Sequence, residues 1–369
     1  MKYLFSVLFI CVLFLPMFNS VTKIFEFERA KENRTFCDSL IINIGKLDKF
    51  PKECENYLND NFEFRTPLIS TFHQIKLDVL YVSPHPENVA IGYNGWHFIT
   101  QKEQEIYAGQ LNFTKEELSK YEKEWQRRKE YLEKKGIAYY WVICPFAQYV
   151  YDYQMPFNMR ATRAPRRIDA LKQRMSARFP NLIIDPIPEL IKARKNGRKV
   201  YYKNDNHWNL RAGEVVAKQI IKILKARFPS KDVPFPDDYY WKKSIKKGGI
   251  YQEFIGLNEL TEKDENPIFR NEQALKALSY GFPVMPEFPY PDQYEMRFVN
   301  TAAKNKLKVL IIRDSFSDQL LPFLKESFGE TVFIFDSWKY NLNEEIIEQY
   351  EPDLVLFIGL ETHIKNFIE

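Results

Sequence analysis

The stretch Lys308-Val309-Leu310-Ile311-Ile312-Arg313-Asp314-Ser315-Phe316-Ser317 decides how this chain is read. Its apolar run has the length and composition of a strand buried on both faces. A serine stands in the turn behind that strand, ahead of a helical segment containing Leu320 and Leu321. In an open α/β sheet, reactive groups collect at the carboxyl ends of the strands. The Ser315 hydroxyl is therefore expected at the rim of a sheet, beside turn N–H groups able to hold an oxyanion. Alone the dipeptide says little, because a serine behind a strand most often caps a helix.

A second stretch, Asp205-Asn206-His207-Trp208, supplies what such a serine needs. The imidazole takes the hydroxyl proton and the carboxylate orients the imidazole. In an extended segment residues i and i+2 project to the same side. Asp205 can then accept from one ring nitrogen of His207 and leave the other for Ser315. His73, His85, His97 and His363 are read as lacking such a partner, and Asp314 as a turn-former. Trp208 is expected to pack under His207 or to line a substrate pocket.

Strand and helix patterns alternate around these motifs. Thr114-Lys115-Glu116-Glu117 is a capping box opening a helix that Gly136 stops. A strand over 137–144, a helix over 168–179, a short strand over 181–185 and a long amphipathic helix over 210–228 follow. After Ser315 come a helix over 320–328, strands over 332–335 and 354–358, and a helix between those two strands. The alternation predicts an α/β fold with a parallel sheet covered by helices on both faces. Asn94-Gly95 is a strong hairpin signal within 89–99. The Pro- and Gly-bearing stretch 234–290 reads as loop, an inserted flap. The expected organisation is a leader over 1–20, a lead-in of turns and short helices over 21–100 that packs on the main domain, and that domain over 101–369.

The chain has 369 residues, 45% hydrophobic and 28% charged, which suits a folded protein with a full core. A net charge of +4 without a long basic block leaves nucleic-acid binding no electrostatic footprint. Residues 3–18 form an apolar run broken only by Ser6 and Pro16. That is a signal sequence or a short membrane anchor. The absence of a small-x-small cleavage site favours the anchor, and either reading exports the body of the protein. Four cysteines are too few for a disulfide scaffold, and no spacing reads as a zinc site. Cys37 and Cys54 are left as either a bridge or two free thiols.

Taken together, these stretches resemble the SGNH-hydrolase-like acetyltransferases of the alginate O-acetylation type and the related proteins named for an Asp-His-His-Trp motif. The resemblance also draws on Glu32-Asn33-Arg34, residues 57–65, Gly92-Tyr93-Asn94-Gly95-Trp96-His97-Phe98, Tyr201-Tyr202-Lys203-Asn204 and Pro352-Asp353-Leu354-Val355. It implies an SGNH-like sheet with circularly permuted motif order and a triad of Asp205, His207 and Ser315. It implies a polysaccharide as acyl acceptor, a membrane O-acyltransferase as acyl supplier, and a site in the periplasm or cell envelope; no cofactor or metal is expected from the residues. Two departures stand out. The third block, Gly-x-Asn-Asp in ordinary SGNH enzymes, reads Gly359-Leu360-Glu361-Thr362, which leaves Thr362 as a candidate substrate contact. After the strand ending at Cys144, Pro145-Phe146-Ala147 stands where relatives often have Pro-Asn-Lys. The leading expectation is an envelope O-acetyltransferase. A carbohydrate acetylesterase using the same triad, and a non-catalytic polysaccharide-binding subunit, are the alternatives.

Overall fold

The computed structural model describes residues 3–27, 35–42, 44–256, 260–284 and 288–368. Glu32-Asn33-Arg34 lies outside the described residues. The chain forms two units, Met1–Ile91 with Lys247–Leu260, and Gly92–Lys246 with Thr261–Glu369.

Among the described residues the first unit includes the helices α1 (Leu4–Thr22), α2 (Phe50–Asp60) and α3 (Arg65–Asp78), the strand β1 (Val89–Ile91) and the short helix Ile250–Ile255. α1 is apolar throughout and buries only Asn19. By length and composition it is long enough to cross a membrane. Cys37 and Cys54 are both free thiols.

In the second unit the strands are β2 (His97–Ile99), β3 (Ala138–Cys144), β4 (Ile183–Ile184), β5 (Tyr239–Lys247), β6 (Thr261–Phe269), β7 (Leu275–Ala277), β8 (Glu295–Val299), β9 (Lys308–Arg313), β10 (Glu330–Phe335) and β11 (Leu354–Leu360). Seven of them make one sheet in the order β4-β3-β11-β9-β10-β8-β7. The β4-β3-β11-β9-β10 portion is parallel, and β8 and β7 extend it antiparallel. The central strands β9, β10 and β11 are almost entirely apolar and buried, because both of their faces are covered. One face packs on the helix Lys115–Lys134, whose Trp125 ring lies 5.1 Å from Trp141 and 5.3 Å from Phe357. That helix opens on the expected capping box: Thr114 Oγ1 accepts from Glu117 N–H, and the Glu117 carboxylate from Thr114 N–H.

Numbered from β9, the parallel strands lie in the order 2-1-3-4-5, with β3 and β4 fourth and fifth although they come first in the chain. The order reverses between β9 and β11. A crevice opens outside the carboxyl ends of such a pair, and Ser315 follows β9 directly.

The stretch read as loop-rich also contains strands. β5 and β6 pair as a two-stranded ribbon and β7 joins the main sheet. Both ribbon strands are made of half-buried and exposed positions, which alternate along most of β5, and lysines and acids fill many of them. No apolar run survives to mark a strand, and Pro234, Pro236, Gly248 and Gly249 suggest turns. Asn94 and Gly95 do form a turn, both at positive φ (56° and 73°).

The helix Leu210–Arg227 begins just after His207 and meets the turn that carries Ser315. Gly213 makes that approach feasible, since a Cβ there would lie 1.8 Å from the carbonyl oxygen of Gln319. Gly213→Ala should push helix and turn apart, at a cost of about 1–3 kcal/mol. Thermal melts should show the loss. An unchanged melting temperature would show that this contact is loose.

Candidate active site

Two loops 108 residues apart in sequence meet at the crevice. The His207 loop is not extended but bent. Asp205 Oδ1 accepts from the backbone N–H of His207 (3.1 Å) and from its ring Nδ1–H (2.7 Å). One carboxylate oxygen therefore fixes both the turn and the ring. The Ser315 hydroxyl donates to His207 Nε2 at 2.8 Å. Phe316 lies against the imidazole, ring centroids 4.8 Å apart.

Trp208 joins the two loops from below. It is fully buried, and its indole N–H donates to the carbonyl of Phe316 at 2.7 Å. It packs beneath the site and has no surface to offer a substrate, so the substrate-contact reading of Trp208 is corrected to a structural one. Thr362, held as a candidate substrate contact, is buried at the start of the last 3₁₀ segment, Glu361–Phe367.

The ribbon β5–β6 braces the His207 loop. Lys246 Nζ lies 2.9 Å from Asp205 Oδ2. Glu262 accepts from the backbone N–H groups of Lys203 (3.0 Å) and Asn204 (3.2 Å), and Asp264 from the Tyr202 hydroxyl (3.1 Å). Burial opposes charge on Asp205, but the His207 hydrogen bond and the His207 and Lys246 charges outweigh it. They hold its carboxyl well below the usual carboxylate range. Burial likewise opposes charge on His207, yet hydrogen bonding and charge from Asp205, with Asp314 and Asp318 beyond, raise its pKa above the ordinary histidine value.

Asp314 does more than form the turn. Its Oδ1 accepts from Phe316 N–H (2.9 Å), while its Oδ2 accepts from the Tyr340 hydroxyl and Leu360 N–H (both 2.7 Å). His363 Nδ1 stands 3.3 Å from the same Oδ2, so the reading of His363 as partnerless is corrected. His85 also has a carboxylate neighbour, Glu87, at 3.1 Å. Asp314 is buried, and despite that burial His363, Leu360 N–H and the Tyr340 hydroxyl hold its carboxyl below the ordinary value.

In place of the third-block Asn stands Glu361, fully buried against Arg167, whose Nε lies 3.1 Å from Glu361 Oε1. Burial pushes its carboxyl up to about 7, partly offset by Arg167 and Arg166. Glu361 is thus committed to a structural pair. Among the described residues no acceptor takes the backbone N–H of Ser315, which leaves it available to a ligand oxygen. Sequence reasoning missed Lys246, Glu262, Tyr340 and Arg167 as parts of this neighbourhood.

Residues 89–278 match the family of SGNH hydrolase-like domains typified by the acetyltransferase AlgX. The match contains Asp205 and His207 and ends before Ser315. Two solved structures share the fold. PatB1 of Bacillus cereus aligns at 15% identity and a TM-score of 0.50, over 70% of this chain and 95% of that one. A DHHW family protein of Eubacterium siraeum aligns at 17% identity and a TM-score of 0.50, over 69% of this chain and 87% of that one. Among curated proteins no sequence matches this chain.

Replacing Asp314 tests the turn. Asp314→Asn leaves too few acceptor sites for the donors gathered there and should cost about 2–3 kcal/mol, whereas Tyr340→Phe removes one bond and should cost about 1 kcal/mol. Urea unfolding of the two variants measures the difference. Equal, small losses would remove Asp314 from the centre of the turn.

Proposed function

We propose a chemistry for a chain that belongs to the SGNH hydrolase-like AlgX acetyltransferase family: Ser315 accepts an acetyl group and passes it to a hydroxyl of an envelope polysaccharide. The observation that carries this reading is the continuous relay from Asp205 through His207 to Ser315, with contacts of 2.7 and 2.8 Å. Both are within the reach that nucleophilic catalysis requires.

In the first half-reaction Ser315 Oγ attacks the acetyl carbonyl while His207 Nε2 takes the hydroxyl proton. The tetrahedral oxyanion would be met by the Ser315 N–H. His207 then returns the proton to the departing oxygen, leaving acetyl on Ser315. In the second half-reaction the same Nε2 removes a proton from a sugar hydroxyl, which attacks the acetyl-serine and frees Ser315. Asp205 stays ionised throughout and stabilises the imidazolium. Lys246 keeps that carboxylate charged and pinned.

The acyl supplier proposed is a membrane O-acyltransferase, in keeping with an apolar α1 that would hold the chain in the cell envelope. Transfer and hydrolysis differ only in which nucleophile reaches the acetyl-serine. Full-length protein given an aryl acetate with and without an oligosaccharide distinguishes them. The reading expects acetylated sugar in place of free acetate, and no turnover by Ser315→Ala. Acetate release indifferent to sugar would make the protein an esterase, and equal turnover by Ser315→Ala would remove the serine.

The pH dependence has a definite sign. His207 must be neutral to take a proton, and its pKa is raised above the ordinary value of 6.5. Activity should therefore fall on the acid side through a midpoint above 6.5. Asp205→Asn removes the charge that raises it, so the acid limb should move to lower pH while kcat drops about 10²–10⁴-fold. A limb that stays in place with most turnover retained would break the Asp205–His207 pairing.

A further inference from the structure

Helix α3 is built inside out. Leu68, Phe72, Ile75 and Val79 follow one another at spacings of four, three and four, and so form a single stripe. A water-facing helix buries such a stripe, but here its members are 57, 54, 47 and 65% exposed. Leu80 and Tyr81 prolong it at 58 and 77%, whereas the polar His73 on the other side is buried. Contiguous exposed apolar surface of this kind marks an interaction site.

The same unit shows what lies nearby. Asn19, in the last turn of α1, is buried, and its side-chain amide donates to the carbonyl of Phe25 (2.9 Å) and to Glu63 Oε2 (3.0 Å). Its Oδ1 accepts from Phe25 N–H (2.9 Å), and Lys23 pairs with Glu63. The Phe64 ring lies 6.2 Å from Phe25 and 5.3 Å from Phe27. Glu63 and Phe64 directly precede α3, so the start of α3 is fastened to the end of α1. α1 exposes its own apolar side chains along its length, as a helix in lipid does.

We propose that α3 lies on the lipid bilayer, with the Leu68, Phe72, Ile75 and Val79 stripe sunk into the boundary between headgroups and acyl chains. This rests on the reading of α1 as a retained anchor: where α1 leaves the membrane, the Asn19–Glu63 junction sets α3 down at the same surface. A helix docked in this way presents its apolar face to lipid and its polar face to water. It gives the chain a second, shallow attachment beside the spanning one.

The test uses the full-length chain in vesicles of phosphatidylcholine and phosphatidylglycerol, with acyl chains either plain or brominated near the headgroup. Phe72→Trp reports on α3, Phe9→Trp reports on α1, and the parent supplies the background of the native tryptophans. Brominated lipid should remove most of the added emission of Phe72→Trp, and that emission should be blue-shifted. Quenching of Phe9→Trp without quenching of Phe72→Trp would overturn the proposal and leave the anchor standing. Quenching of neither would remove the anchor as well. Blue-shifted emission from Phe72→Trp that brominated lipid does not quench would assign the stripe to a protein partner or a second copy, and would also overturn the proposal.

Discussion

The carboxylate of Asp314 is the constraint on which the site depends, because it joins the ends of the three strands that meet at the crevice. It stands between β9 and Ser315, takes the Tyr340 hydroxyl from the segment after β10, and takes Leu360 N–H at the end of β11. A buried anion is costly unless several donors surround it. Here the donors are the chain segments whose relative position has to be fixed. The electrostatic need of one side chain thus becomes the geometry of a turn, and the turn aims Ser315.

The second constraint runs across the crevice. Trp208 donates to the Phe316 carbonyl, so the residue after His207 is bonded to the residue after Ser315. The contact between imidazole and hydroxyl is therefore held from beneath rather than left to two mobile loops. Glu262, Asp264 and Lys246 hold the far side of the Asp205–His207 turn from the β5–β6 ribbon. Fixing both partners before substrate arrives is what nucleophilic catalysis requires, since a small misplacement of reacting groups costs much of the rate.

Much of the fold was legible in the sequence, and so was the pairing at its centre. Apolar runs such as 309–312 and 354–358 announce buried strands by composition, and the i, i+2 spacing of Asp205 and His207 shows a local partnership. The mechanism of that partnership was not legible, because the bend at Asn206 replaces the extended geometry that the spacing suggests. Lys246 and Glu262 left no signal either, being single charges on a ribbon whose alternation is diluted by lysines and acids. Asp314 was hidden for another reason. Its partners Tyr340, Leu360 and His363 lie 26, 46 and 49 residues away, and only the closing of the sheet brings them together.

The central claim is that Ser315 is the atom through which acetyl passes. The most direct measurement is a peptide map by tandem mass spectrometry after brief exposure of the full-length protein to an aryl acetate and acid quenching. The account predicts a single acetyl group on the peptide carrying Arg313-Asp314-Ser315-Phe316-Ser317, with fragment ions that place it on Ser315. Acetyl on Ser317, on a lysine, or on no residue of that peptide would contradict it.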